Sequence, residues 1–466
     1  MEMWQFWWEI VCSLRPAFSR QQTFLWFASV FAGMMVRQDK AGVSSFVRCL
    51  GLHERYYDRL LDFFHSDGVN RQTLMKAWTR VVLSIGKCHR FNGRPVLVAD
   101  GIKAPKEGRK MPSVKLLHQE AGSNSKPEYI MGHSCQAVAI LCRACATFFA
   151  VPLTVEIHEG LVFSNRDSRT LYDKLNRLIA SLSISEPFYL IADAYYACAK
   201  TAQALLNSGN HLISRVRSNA VAFHVAPDVK QRKRGRPKKY GRKVRLRHLF
   251  EHEDRFTLAR SPVERESGIT LKYLVKDLIW KPAGMVVRFV LVIHPTHGRT
   301  IFISTDLTLN GLQIIELYSL RFKIEQTFKQ AIHSIGAYGY HFWMKAMDPI
   351  RRNDGDQYLH WKADKYRAAI RRKMNAYHLY LQVGAIAQGF LQCLAATQPE
   401  NVWASFRSWL RTIRPGTPPS EQVTALAMSN TLSEYIANSK CPSIWRKFLA
   451  DKRDPIRTRM PFARTG

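Results

Sequence analysis

The spacing of apolar residues changes character several times along the chain, and each change marks a different kind of element. Within residues 1–90, Phe46, Leu50, Tyr57, Leu60, Leu61 and Phe64 recur at helical intervals. Asp67-Gly68 breaks that rhythm, and Asn70 is placed to cap a further helix through Leu74, Trp78 and Val82. From Arg94 onward the helical period gives way to short, continuous apolar runs. Residues 95–100 and 187–193 each form such a run and close on an acid, as strands buried on both faces do. Residues 136–142, 147–156 and 211–216 read as further strands. Ser168 is expected to cap a helix that carries Leu171, Leu175, Leu178 and Leu182 on one face, and a second helix is expected over 199–206. Strands first, then helices alternating with strands, predict a mixed α/β layer over 91–221.

Residues 222–305 change pattern again. A basic linker precedes strand-like runs at 269–280, 285–294 and 299–305 with no helical period among them, which predicts an inserted all-β subdomain. Asn310 then caps a helix expected to run to about residue 335. More helices continue to about 397, and residues 306–397 return to the core. Residues 398–466 form a basic helical C-terminal region behind the linker Arg414-Pro-Gly-Thr-Pro-Pro-Ser420. At 466 residues, several domains are expected rather than one core.

Charge adds a partner to this outline. Lys and Arg total 69 against 36 Asp and Glu, a formal excess of 33 positive charges. Such an excess raises a positive potential over much of the surface and points to a polyanion, most often nucleic acid, with an anionic membrane surface as the competing partner. The nine cysteines are scattered and odd in number, so they are expected to be free thiols in a reducing compartment. Only Cys142 and Cys145 have Cys-x-x-Cys spacing, too few ligands for zinc. The start of the chain lacks a basic leader, and the apolar stretches 24–36 and 377–395 read as buried helices rather than membrane spans.

The chemistry rests on acids. Asp100 and Asp193 each end an apolar strand, and at the carboxyl ends of neighbouring parallel strands two such carboxylates come within reach of one cation. An Asp in that position alone is usually a turn residue. On the helix after Asn310, the residues Leu317, Leu320, Ile324 and Phe328 make an apolar stripe. Tyr318, Arg321, Glu325 and Lys329, at steps of three, four and four, share a different face. A simple solvated Arg-Glu pair is the plainer account of that face.

Taken in order, Asp100 in "VLVADG", Asp193 in "LIADAYY" and Glu325 in "LYSLRFKIEQTFK" resemble the Asp-Asp-Glu site of bacterial insertion-sequence transposases. The resemblance is strongest to the cut-and-paste group, whose ribonuclease-H-like core carries a β-rich insertion between the second Asp and the Glu. It covers roughly residues 90–345. That group's helix motif is Tyr, two residues, Arg, three residues, Glu, six residues, Lys. Tyr318, Arg321 and Glu325 match it, whereas position 332 is Ile and the nearest lysine, Lys329, comes one turn early. The spacing agrees: 93 positions (193 − 100) separate the aspartates, and 132 (325 − 193) separate Asp193 from Glu325, room for an inserted β region.

The resemblance implies a DNA transposase, a metal-dependent endonuclease and strand transferase acting on element terminal repeats and target DNA. It implies Asp100, Asp193 and Glu325 as catalytic metal ligands for Mg²⁺, with Mn²⁺ as a substitute, and Tyr318, Arg321 and Lys329 as DNA contacts. It also implies a homodimer in the DNA complex, no membrane, and a bacterial cytoplasmic, nucleoid-associated location. A transposase-derived DNA-binding protein with an idle site is the alternative. A nuclease or resolvase of branched DNA is a third reading, opposed by the insertion and the Tyr-Arg-Glu helix.

Two further features concern DNA. Between residues 228 and 247, eleven of twenty residues are Lys or Arg and one is acidic. At its centre Arg234, Gly235, Arg236, Pro237, Lys238 and Lys239 match the AT-hook core, in which glycine permits close approach to the minor groove and proline keeps the chain extended. A flexible basic loop that binds phosphates without reading sequence is the other account of the same residues. A second basic run, Lys362, Lys365, Arg367, Arg371, Arg372 and Lys373, is expected either to track phosphates or to form a solvated face. Trp280 is expected to pack in the core, and His133, His158 and His333 to be structural.

Overall fold

Apolar runs with no polar alternation need cover on both faces, and the sheet provides it. The computed structural model describes residues 1–39, 42–119, 127–227, 238–409, 411–414 and 416–455. Strand Arg94–Pro105 lies at the centre of a mixed sheet. On one side Tyr129–Ala144 pairs with it antiparallel, and Thr147–Ile157 pairs antiparallel with that in turn. On the other side Tyr189–Ala192 and then His211–Val216 run parallel to it. Three strands antiparallel in sequence order, then two parallel across helices Leu171–Ser181 and Ala199–Asn207, form the ribonuclease-H-like arrangement. The first of those helices starts two residues (170 − 168) later than expected. Thr170, not Ser168, is its cap, because Asp173 completes a reciprocal capping box with Thr170.

The strands after residue 221 do not fold as a detached unit. Thr270–Trp280, Met285–His294 and Gly298–Ser304 form an antiparallel meander whose last strand pairs with His211–Val216, making one continuous 13-stranded sheet. The physical gain is an edge removed: His211–Val216 would otherwise present unpaired backbone groups. Trp280 is buried in this region, in line with the expected core packing.

Asn310 caps its helix through a capping box with Gln313, but the helix is not continuous to 335. Gly311–Ser319 and Phe322–Gln330 are separate segments, joined through Leu320 and Arg321, whose amides bond back to Leu317 and Tyr318, three residues earlier. A single π turn, Ala331–Ile335, ends the element at Gly336, whose φ of 66° is the left-handed conformation glycine adopts without strain.

Strand pleating decides what covers each face. Gln136 of Tyr129–Ala144 bonds the carbonyl of Leu171, whereas Ala137 and Ala139 line a small apolar void with Ile324 and Phe328. The glutamate helix and helix Asp364–Thr397 therefore share the face opposite Leu171–Ser181. The long helix has an apolar window long enough to cross a membrane, but that window is wholly buried within the fold. Gly389 on it admits the ring of Trp78, which a Cβ would meet at 2.5 Å, and the Trp78 indole donates to the Pro152 carbonyl (2.9 Å).

The two ends of the chain complete this shell together. Trp7 of Glu2–Ser13 packs on Trp445 of Ser443–Ala450 (centroids 4.8 Å), and Trp4 stacks on Tyr435 at 5.5 Å. Buried Arg37 ties the shell to the end of the glutamate helix. Its guanidinium donates to the carbonyls of Ile335 and Gly336 (2.8 Å each) and to the Tyr380 hydroxyl (3.0 Å), and lies over the Phe46 ring.

Candidate active site

The register of the central strands places the two aspartates. Val96, Leu97, Val98 and Ala99 pair with Tyr189, Leu190, Ile191 and Ala192, so Asp100 and Asp193 are the next residues on adjoining parallel strands. Each accepts a hydrogen bond from the amide that follows it. The Gly101 amide donates to Asp100 Oδ1 (2.8 Å), and the Ala194 amide donates to Asp193 Oδ1 (2.6 Å). Asp193 thus also fills the plainer turn-forming role, as the cap of the 3-10 turn Ala194–Tyr196, whereas Asp100 forms no turn, because its strand continues to Pro105.

Glu325 reaches the same end of the sheet from the helix. Arg321 donates from Nη1 to Asp100 Oδ2 (3.0 Å) and from Nη2 to Glu325 Oε1 (2.6 Å), spanning the two carboxylates with one guanidinium. Burial pushes the Asp100 carboxyl up to about 6, against the Gly101 amide and Arg321, which lower it; the negative charges of Asp193 and Glu325 add to the rise. All three acids therefore act on one locality, and one guanidinium does not balance them. An all-oxygen set with uncompensated negative charge fits a hard divalent cation.

Tyr318 is partly buried, its ring on Phe302 (4.9 Å). Burial raises its hydroxyl pKa, and Arg321, Asp193 and Arg215 all act on it. Arg215 went unassigned in the sequence. It follows Ser214, the partner of Ala192, and so stands one strand beyond Asp193 as an exposed cation at the same end. Only the parallel pairing of 189–192 with 211–214 marks it out. Tyr196, inside the quoted "LIADAYY", was likewise given no role; it is buried, and its hydroxyl accepts from Gln136 (3.4 Å).

The remaining residues divide. Lys329 is exposed one turn beyond Glu325, and Ile332 stands where the motif has its lysine. Lys238 and Lys239 are exposed, whereas Arg234, Gly235, Arg236 and Pro237 lie outside the described residues. Of the second basic run, Lys362 pairs with Asp348, Arg367 with Asp364, and Lys373 contacts His65, while Lys365, Arg371 and Arg372 are exposed. His133 is buried between the Tyr340 hydroxyl (2.7 Å) and the Pro112 carbonyl (2.9 Å), His158 lies beside Glu159, and His333 is exposed.

Among the described residues one histidine–carboxylate group, Glu266 with His294 and His297, has metal-ligand proximity, and it contains none of the three acids. Its chemistry opposes ligation. His294 Nδ1 accepts the amides of Thr296 and His297 (3.2 Å each), so the proton sits on Nε2, facing Glu266 at 3.2 Å. A protonated nitrogen offers a metal no lone pair. Cys142 and Cys145 join no such group; Cys142 Sγ faces Cys88 Sγ at 3.9 Å.

Comparison with known proteins bears on this geometry. A family model described as "DDE superfamily endonuclease" matches residues 13–265, more than half of the chain and including both aspartates. No curated protein matches. A solved cryo-EM structure, the piggyBac transposase synaptic complex with hairpin DNA, is similar at 12% identity, with 93% of this chain and 76% of that one covered and a TM-score of 0.35. That likeness is too distant to bear on activity.

Proposed function

Because the chain belongs to the DDE superfamily of endonucleases, we propose that it is a transposase that cuts DNA at the ends of a mobile element and joins the freed 3′ ends to target DNA. The observation that carries this reading is the meeting of Asp100 and Glu325 on Arg321, beside the register-matched Asp193. The formal excess of 33 positive charges supports DNA as the substrate.

Asp100, Asp193 and Glu325 are the residues that would hold Mg²⁺, or Mn²⁺ in its place. A divalent cation bound there supplies Lewis acidity, polarising the phosphodiester and lowering the pKa of water. Arg321 is the group that meets the scissile phosphate: its planar fork suits two phosphate oxygens as well as two carboxylates, and Glu325 keeps it aimed. Arg215 and Tyr318 flank it, one offering charge and the other a hydroxyl donor. Lys329 extends the contact along the backbone. Two ends must be cut together, so the working form is a homodimer on DNA.

The test uses the duplex that flanks the coding region. Wild-type protein with Mg²⁺ is expected to nick it and join ends. Asp100→Asn, Asp193→Asn and Glu325→Gln are each expected to lose about 10³-fold or more in cleavage while retaining DNA binding. Binding of Mn²⁺, followed by calorimetry, is expected to weaken in the same variants. A wild type that binds this DNA yet neither nicks nor joins it with either metal would leave a DNA-binding protein with an idle site.

A further inference from the structure

Large aromatic side chains are usually the first that a fold hides. Three on one segment are not hidden: Trp343, Tyr358 and Trp361 expose 67%, 50% and 65% of their surface. All lie on residues 336–363, a strap that leaves the glutamate helix before the long helix Asp364–Thr397 begins.

The strap is firmly held. Buried Lys106, just past the end of the Asp100 strand, donates to the carbonyls of Tyr338 and Tyr340 and lies over the Tyr340 ring. The Met344 amide bonds Lys110 (3.0 Å), Ile350 bonds Arg109 (2.8 Å), and Leu359 bonds Val162 (2.7 Å). Phe342, Met344 and Leu359 dock inward, so their neighbours Trp343 and Tyr358 are turned out. A fixed backbone therefore imposes the exposure. Tyr358 and Trp361 stack with centroids 6.1 Å apart and planes 20° from parallel, presenting flat faces.

Position gives these rings a meaning. The segment after Pro105 and the turn after Ile157, to which the strap is bonded, both leave the sheet at its carboxyl end, because their strands both pair antiparallel with Tyr129–Ala144. Asp193 follows its strand toward that end, and Asp100 lies on the strand that leads to Pro105, five positions (105 − 100) before it. Lys345, Arg351, Arg352, Lys365 and Arg371 are exposed on the strap and on the first turns of the helix that follows.

We infer that the strap is a stacking platform for unpaired nucleotides beside the cut, with bases on Trp343, Tyr358 and Trp361 and phosphates on the surrounding cations. The inference rests on the reading of the chain as a DNA-cutting enzyme and names where the DNA beside the cut goes. An exposed ring rewards an unstacked base, whereas a base inside a duplex already has neighbours on both faces. The platform therefore favours single-stranded over paired DNA and reads little sequence. A protein partner would use the same rings, but Lys345 and Lys365 flank them, a residue type depleted at such interfaces, and the chain as a whole carries a formal excess of 33 positive charges.

The test measures anisotropy of labelled DNA without divalent metal, comparing a blunt duplex with the same duplex bearing a short single-stranded overhang. Wild type is expected to prefer the overhang by about fivefold or more per stacked base. Trp343→Ala and Trp361→Ala are expected to remove most of that preference, with affinity for the blunt duplex and the unfolding temperature unchanged, and Trp361→Phe to restore it. Equal binding of both DNAs by wild type, or a preference that neither alanine variant moves, overturns the platform and leaves the DNA-cutting reading intact. A change in sedimentation in place of the lost preference also overturns it, since the rings would then cover a second copy. Binding to neither DNA defeats the wider reading and the platform with it.

Discussion

Tryptophan serves opposite ends in two parts of this molecule. In the helical shell, Trp4, Trp7, Trp78 and Trp445 are fully buried and pack ring against ring or against backbone. On the strap, Trp343 and Trp361 face solvent from a backbone just as firmly anchored. Composition does not separate the two regions; the contacts of neighbouring residues do. The contrast teaches that a buried ring is held by its packing, whereas a rigid segment can keep a ring's face open to solvent.

The comparison breaks first on stability. Trp445→Ala is expected to cost about 3–5 kcal/mol in the unfolding free energy, from lost burial and the cavity left among Trp7, Tyr435 and Ser29. Trp361→Ala is expected to cost within about 0.5 kcal/mol. Chemical denaturation of the two variants measures both, and similar losses would end the distinction.

The anchors come next. Arg37→Met removes the guanidinium donor from the carbonyls of Ile335 and Gly336, the latter keeping the Gly339 amide, and about 2–4 kcal/mol of stability is expected to go with it. Lys106→Met is expected to cost less, about 1–3 kcal/mol, and to loosen the strap, read as faster amide exchange over 338–350. Unchanged exchange there would mean that Lys106 does not hold the strap.

Acid sharpens the picture of the buried side of the fold. Burial pushes the imidazole of His133 down to about 3 and that of His378 down to about 4. In the unfolded chain each titrates near 6.5. Between those values the unfolded chain binds protons that the folded chain refuses. Stability is therefore intact above about pH 6.5 and falls as the pH drops through the window, on the order of 1 kcal/mol per pH unit for each histidine. The unfolding midpoint is expected to drop between about pH 6.5 and pH 4.5. His378→Gln is expected to make that drop shallower, and a midpoint indifferent to pH over the range would contradict the buried neutral assignment.

Much of the fold was legible along the chain, and for identifiable reasons. Residues 285–294 were bounded correctly because both flanks carry turn residues, and the Asn310 cap because its partner Gln313 lies three residues away. Local chemistry decides such features. The division of the helix expected through 335 leaves no mark in the sequence, because the apolar stripe keeps its period across the tightened turn at Leu320 and Arg321. Ser168 is a good capping residue, but the reciprocal pairing of Thr170 with Asp173 puts the cap two positions further on. At the candidate site, the acids and the Tyr318–Arg321–Glu325 face could be picked out, but Arg215 and Lys106 could not, since their neighbours lie on other strands or beyond the glutamate helix.

By itself the amino-acid order determined the periodicities, hence the kinds of elements, the excess of positive charge, and the i, i+4 proximity of Arg321 to Glu325. Only the tertiary structure decided that Asp100 follows a residue paired with the one before Asp193, that Arg321 reaches an acid 221 positions earlier, and that the strap turns its rings outward. The reason is range. Helical and turn preferences act over a few residues, whereas strand order and register are set by which distant apolar faces can be buried together, and no short stretch of chain holds that information.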